Sequence, residues 1–258
     1  LVSGAFGAIG RQLCQWLARQ GARSLVLVGR RSDQTLLDAL TAAGVAWEVV
    51  LVDLANGSPE PLAAALGGKA LAGVFHAAGV LDDGLLENQT PGRQGAVMAV
   101  KWGGQQLLER ACQAAGCRPQ FGVVFSSMAA LLGSPGQTGY GAANGALDGL
   151  AAQPDHPGQP DRPWPLVSLQ WGPWGGAGMA EGLQRRFAAL GVGLLPPAQA
   201  LDALALLLER GRPGCVAVLH NDWPKLAAQL GSRQSAVLQP LLKAAAPAAA
   251  GAEGAALR

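Results

Sequence analysis

Short apolar runs bounded by turn residues alternate with stretches of helical period from the first residue to about residue 219. Ile9, Leu13, Trp16 and Leu17 fall at helical spacing, and Gly21 stops that helix. Ser24–Val28 then reads as a buried strand, as do Trp47–Val52, Leu71–His76, Gly122–Ser126, Leu166–Gln170 and Cys215–Leu219. Each but the last is followed by a loop and a helical stretch, and Leu201, Leu204, Ala205 and Leu208 form one more apolar stripe before the final strand. Near-continuous apolar strands separated by helices predict an α/β fold with a parallel sheet covered on both faces. Right-handed crossovers make that sheet doubly wound, with a ligand crevice at the carboxyl ends of its strands.

Both ends of the chain depart from this pattern. Leu1 and Val2 lead straight into a glycine-rich loop, whereas a buried strand usually takes about five residues. The first strand is therefore expected to be truncated at its N-terminus, leaving an unpaired position in the central sheet. Residues 1–232 are expected to form the folded unit, and the Ala, Gly and Pro-rich residues 233–258 a flexible linker.

Composition narrows the function classes. With 258 residues, half of them apolar, the chain is long enough for one large core. Lys and Arg total 19 against 17 Asp and Glu, with no basic run, which argues against nucleic acid and against a membrane surface. Cys14, Cys112, Cys117 and Cys215 fit neither a zinc site nor a redox pair, and the three histidines are far apart. No metal is expected, and reduced thiols together with the absence of a membrane-length apolar run point to the cytoplasm.

Ser3-Gly4-Ala5-Phe6-Gly7-Ala8-Ile9-Gly10 sets glycines three apart between a strand end and a helix start. Backbone amides there can approach a pyrophosphate, and the helix dipole favours its charge. A plain tight turn is the competing reading; the cofactor reading assigns contacts to Gly4, Phe6, Gly7, Ile9 and Gly10. The second strand ends in Gly29-Arg30-Arg31, where guanidinium groups suit a ribose 2′-phosphate, so NADPH is favoured over NADH. Asp53 and Leu54 are placed to bracket the adenine, although an Asp there equally caps a turn. Ala77, Ala78 and Gly79 leave room for a cofactor close to the backbone.

Reducing a ketone by hydride transfer develops alkoxide character on its oxygen, which calls for a proton donor and a second hydrogen-bond donor beside it. Tyr140, the sole tyrosine, opens a helix after the strand that ends Phe125-Ser126-Ser127, and Asn144 lies one turn further on the same helical face. A free tyrosine has a pKa of about 10, and Lys101 is the candidate cation to lower it. Taken singly, a capping serine, a core tyrosine and a solvated lysine account for the same residues.

Nearly all of residues 1–232 resembles the short-chain dehydrogenase/reductase superfamily, and within it the ketoreductase domains of modular polyketide synthases. The blocks that carry the likeness are His76-Ala77-Ala78-Gly79-Val80-Leu81-Asp82-Asp83-Gly84, Phe125-Ser126-Ser127, Gly133-Ser134-Pro135-Gly136-Gln137 with Tyr140-Gly141-Ala142-Ala143-Asn144, and Gln170-Trp171-Gly172-Pro173-Trp174. The resemblance implies a Rossmann-like fold and NADPH-dependent reduction of a β-ketoacyl thioester on an acyl carrier protein, alongside other domains of the same synthase. It implies Tyr140 as proton donor, Ser127 on the ketone oxygen, Lys101 on the cofactor ribose, Asn144 supporting a relay water, and Pro173 and Trp174 at the nicotinamide. Gly178–Leu195 resembles a lid. Leu81, Asp82 and Asp83 resemble the marker of B-type enzymes, which form the 3R-hydroxyl, against the plain reading of an acidic turn. Phe6 departs from the family's usual small residue and is expected to weaken cofactor binding. A non-catalytic scaffold or carrier-docking domain, and a free-standing short-chain reductase, are the competing functions.

Overall fold

The computed structural model describes residues 1–152, 164–176, 184–211, 214–229 and 238–240. In chain order the elements are β1 (Val2–Ser3), α1 (Ala8–Arg19), β2 (Ser24–Gly29), α2 (Gln34–Ala42), β3 (Ala46–Leu51), α3 (Glu60–Leu66) and β4 (Gly73–His76). A short 3-10 turn precedes α4 (Pro91–Met98), a π-helical turn (Ala99–Gly103) joins α4 to α5 (Gly104–Ala114), and β5 (Phe121–Ser127) follows. Then come α6 (Met128–Leu132), α7 (Thr138–Ala152), β6 (Leu166–Trp171), α8 (Gln184–Ala189), β7 (Val192–Gly193), α9 (Pro197–Arg210), β8 (Gly214–Val218), β9 (His220–Asn221) and α10 (Trp223–Gln229).

Among the described residues seven strands form one sheet in the order β3-β2-β1-β4-β5-β6-β8, every pairing parallel. The order reverses between β1 and β4, the point where a doubly wound sheet opens a crevice at its carboxyl edge. Two large apolar clusters cover the faces: one holds Leu13, Trp16, Leu36, Leu169 and Leu204, the other Leu62, Leu108, Val124, Leu147 and Leu166. The strands are therefore apolar on both sides, as a parallel sheet between helices requires.

As expected, β1 is short: it covers only Leu27 and Val28 of the six residues of β2, and Phe75 and His76 of the four of β4. Val2 pairs with Leu27 on one side and Phe75 on the other, Ser3 with Val28 and His76, and the Leu1 amino group donates to the Gly73 carbonyl at 2.9 Å. The backbone groups of Val2 and Ser3 themselves are engaged by neighbours on both sides. The linker expectation needs amending. Leu238 is buried with Leu132, Val192 and Leu226 in a third cluster, so residue 238 belongs to the folded unit. The rest of residues 233–258 lies outside the described residues, apart from 239 and 240.

Leu169, fully enclosed on β6, tests this packing. Leu169→Ala is expected to cost about 2–5 kcal/mol of unfolding free energy, against less than about 0.5 kcal/mol for Leu86→Ala at a 70% exposed position, read from urea denaturation midpoints.

Candidate active site

A cavity of about 1110 Å³ runs along the carboxyl edge of the sheet. The loop after β1 contributes Gly4, Phe6, Gly7, Ile9 and Gly10, β2 contributes Arg30 and Arg31, and β3 contributes Asp53 and Leu54. Ala77, Ala78, Gly79, Leu81 and Asp83 follow from β4, Ser127 from β5, Tyr140 from α7, Pro173 and Trp174 from β6, and Lys101 from the π turn. Two expected site residues, Asn144 and Asp82, are not on its wall. Asn144 bonds Tyr140, which is on the wall, whereas Asp82 pairs with Arg93, which is not.

At one end the backbone is packed too closely for side chains. A Cβ on Gly4 would sit 2.6 Å from the Ala78 amide nitrogen, in a backbone with φ +71, and one on Gly10 would sit 2.0 Å from the Gly4 carbonyl. Gly7 caps α1 in extended conformation without any side-chain hydrogen bond, and the first turn carries no acidic residue. The leading amides of α1 thus face the cavity with a positive dipole end and no internal partner, which fits an anionic pyrophosphate. Arg30 and Arg31 are exposed beside it. Phe6 is buried, its ring lying on Gly29, where a Cβ would come within 2.9 Å of Cδ2. The ring therefore packs at the end of β2, and both Phe6 and Gly29 remain on the cavity wall. Asp53 accepts hydrogen bonds from the Ala55 amide at 3.1 Å and the Asn56 side chain at 3.3 Å, so it caps a turn while also lining the cavity.

At the other end stand the polar groups. Ser127 caps α6, accepting from the Ala129 amide at 3.2 Å, which leaves its own hydroxyl hydrogen free to donate. Lys101 is 3% exposed, its Nζ donating to the Phe125 carbonyl at 2.6 Å and lying 5.8 Å from the centroid of the Tyr140 ring. Burial lowers its pKa to about 8, and the charge of Asp148 works the other way. Tyr140 does not show the expected depression. Burial raises its pKa above the ordinary phenol value, opposed by hydrogen bonds with Asn144 and Ser127, while Asp83 adds to the rise. Lys101 sits over the ring and directs its proton to a carbonyl, so enclosure decides the direction.

Asn144 is fully buried; its Nδ2 donates to the Tyr140 carbonyl at 2.8 Å and its Oδ1 has no partner. In the Leu81-Asp82-Asp83 segment the three residues divide. Asp82 forms an ion pair with Arg93, whose Nε donates to it at 2.7 Å, and Asp83 accepts from the Gln137 side chain at 3.0 Å. With the Gly84 amide donating to the Gly136 carbonyl at 2.8 Å, these contacts tie the segment to the loop before α7. The turn reading accounts for Asp82, while Leu81 and Asp83 reach the cavity. From the expected lid, residues 178–183 lie outside the described residues; Phe187, Leu190 and Val192 border the cavity.

Several contributors were not singled out from sequence. Ser3 and His76 form a buried pair, Oγ to Nδ1 at 2.6 Å. Asp148 accepts from Ser168 at 2.5 Å and Gln170 at 2.8 Å in the interior. Asp148 follows Asn144 by four residues, a helical spacing that was available as a signal. The π turn around Lys101 has no comparable signature.

Comparison with known proteins comes to the same fold and family. The KR domain family model matches residues 1–176. Polyketide synthase GfsA of Streptomyces halstedii is 38% identical over 262 residues, covering 97% of this chain and 3% of that protein. GfsB of the same organism is 37% identical over 236 residues, covering 88% of this chain and 4% of that protein. Among solved structures, A-type ketoreductases from a modular polyketide synthase share 33% identity at a TM-score of 0.80, over 93% of this chain and 52% of theirs. The chain thus spans a few hundredths of those synthases and about half of the solved ketoreductase chain.

His76 sets a pH dependence. Burial drives its imidazole pKa down to about 4, with the Lys101 charge acting in the same direction. Between that value and the unfolded value of about 6.5 the unfolded chain binds the extra proton, so stability is expected to fall as pH drops through this window. Urea midpoints at pH 7 and pH 5 should differ less in His76→Gln than in the parent chain.

Proposed function

The chain belongs to the ketoreductase-domain family of modular polyketide synthases, an oxidoreductase family, and from that premise we propose that it reduces a β-ketoacyl thioester to the β-hydroxyacyl thioester with NADPH. The substrate is carried on the phosphopantetheine arm of an acyl carrier protein, in the company of the other domains of a synthase. The observation that carries this reading is the juxtaposition, in one cavity, of an uncapped helix N-terminus with Tyr140, Ser127 and Lys101. The presence of Gly4, Gly7 and Gly10 on the cavity wall together with Phe6 supports a working cofactor site over a closed relic.

Bound at the glycine loop, with Arg30 and Arg31 for its 2′-phosphate and Pro173 and Trp174 at the nicotinamide, NADPH supplies the hydride. Ser127 donates its free hydroxyl hydrogen to the ketone oxygen and fixes the carbonyl. Tyr140, with its pKa raised, keeps its proton throughout the neutral range and gives it up as alkoxide character develops. An alkoxide is a much stronger base than a phenolate, so the transfer runs downhill despite the raised value. The phenolate so formed lies beside the Lys101 ammonium. Asn144 Oδ1, buried without a donor, offers the anchor for a water that returns the proton. Leu81 and Asp83 on the cavity wall support a 3R product by limiting which face of the ketone meets the cofactor.

Tyr140→Phe removes one hydroxyl and little volume. It is expected to lower kcat for NADPH oxidation with a pantetheine β-ketoacyl thioester by at least about a hundredfold, while NADPH affinity by fluorescence titration stays within about twofold. Retained turnover would overturn the assignment. Arg30→Ala combined with Arg31→Ala should raise the KM for NADPH about tenfold and leave that for NADH nearly unchanged, because one charge-assisted contact is worth about 1.5–3 kcal/mol.

A further inference from the structure

Lys101 lies in a π-helical turn, a wide turn that is uncommon and is met mainly as a single interruption within α-helices at functional sites. Its backbone is held by a group that the reduction itself does not use. His76, fully buried at the end of β4, has Nε2 2.9 Å from the Lys101 carbonyl oxygen and Nδ1 2.6 Å from Ser3 Oγ on β1. A carbonyl oxygen only accepts, so Nε2 carries the proton and donates; in a neutral imidazole Nδ1 must then accept, and Ser3 donates to it. The two partners together fix the tautomer. A Cβ on Gly104 would stand 3.1 Å from His76 Cε1, so the helix leaves the π turn pressed against the ring. On the opposite side a Cβ on Gly79 would stand 2.8 Å from Lys101 Cε, which confines the lysine stem.

We propose that His76 is a positioning residue for the reduction, its Nε2–H holding the π turn so that the Lys101 ammonium lies over the Tyr140 ring. The chain of contacts runs Ser3 hydroxyl, His76 imidazole, Lys101 carbonyl, and from the same residue the ammonium to the Phe125 carbonyl. It fastens the helical layer to β1, β4 and β5 at the switch point of the sheet. Asp148 on α7 and Asp83 after β4 are the other charges that act on this pair. The proposal rests on the reading of Tyr140 and Lys101 as parts of a reductase site.

Two substitutions separate the two ends of the imidazole. In His76→Asn the amide oxygen can still accept from Ser3 but no donor reaches the Lys101 carbonyl; in His76→Gln an N–H returns near the Nε2 position. In the full chain, His76→Asn is expected to lower kcat about tenfold to a hundredfold, the range that a small misplacement of a reacting group produces. NADPH affinity should change less than about threefold, and His76→Gln should recover most of the loss. A second readout needs no turnover: with four lysines in the sequence, the ¹³Cε resonance of Lys101 can be titrated directly. Its midpoint, near 8 in the parent chain, should move by at least about half a unit in His76→Asn and return in His76→Gln. Ser3→Ala leaves the imidazole in place and frees Nδ1; it should move the same midpoint in the same direction by less, and it serves if His76→Asn does not fold. A folded His76→Asn with unchanged kcat and Lys101 midpoint would overturn the proposal, as would a His76→Gln no better than the asparagine, or, where His76→Asn does not fold, an unchanged midpoint in Ser3→Ala. Should the parent chain reduce no ketone, the reductase reading fails while the lysine titration still decides the positioning role.

Discussion

Lys101 carries its charge into the interior, where desolvation works against it, and much of the surrounding structure serves to keep it there. Its ammonium has a backbone carbonyl at 2.6 Å for company in place of a carboxylate. Asp148, the buried acid whose charge favours it, is itself engaged by Ser168 and Gln170. A cation that among the described residues pairs with a carbonyl rather than a carboxylate stays sensitive to its position, and its pKa falls to about 8. That property suits a group meant to stand beside a phenol that gains and loses a proton.

The sheet supplies the frame for this arrangement. Because β1 lies between β2 and β4, and the crossovers diverge there, the ends of six strands open onto one edge. Close backbone approach does the rest: Gly4 against Ala78 and Gly10 against Gly4 bring the start of α1 to the crevice with its amides uncovered. The nucleotide end is built from backbone and the reacting end from side chains. The two share a wall because β4 and β5 are neighbours.

The alternation of apolar runs and helical stretches was sufficient to read the parallel sheet, and the strand bounds lie within about two residues of those expected. Glycine spacing, the strand-end positions of Arg30 and Ser127, and the helix-start position of Tyr140 likewise led to the cavity wall. Sequence was less informative where the outcome depends on competition between neighbours. Whether Lys101 or enclosure controls Tyr140 is set by where the ammonium points. Phe6 lies on the cavity wall beside the glycine loop, with its ring against Gly29, a contact that no local pattern announces. Asp82, one letter from Asp83, turned to Arg93, a residue eleven positions away that no local pattern connects to it.

Tyr140 is the proposed acid, and enclosure pushes its pKa above the ordinary phenol value. Because it is the chain's one tyrosine, phenolate absorbance near 295 nm reports on it alone. An alkaline titration of the folded chain should give a single midpoint above the free-phenol value of about 10. A midpoint clearly below that value would contradict the account, for it would mean that Lys101, and not burial, governs the proton on Tyr140.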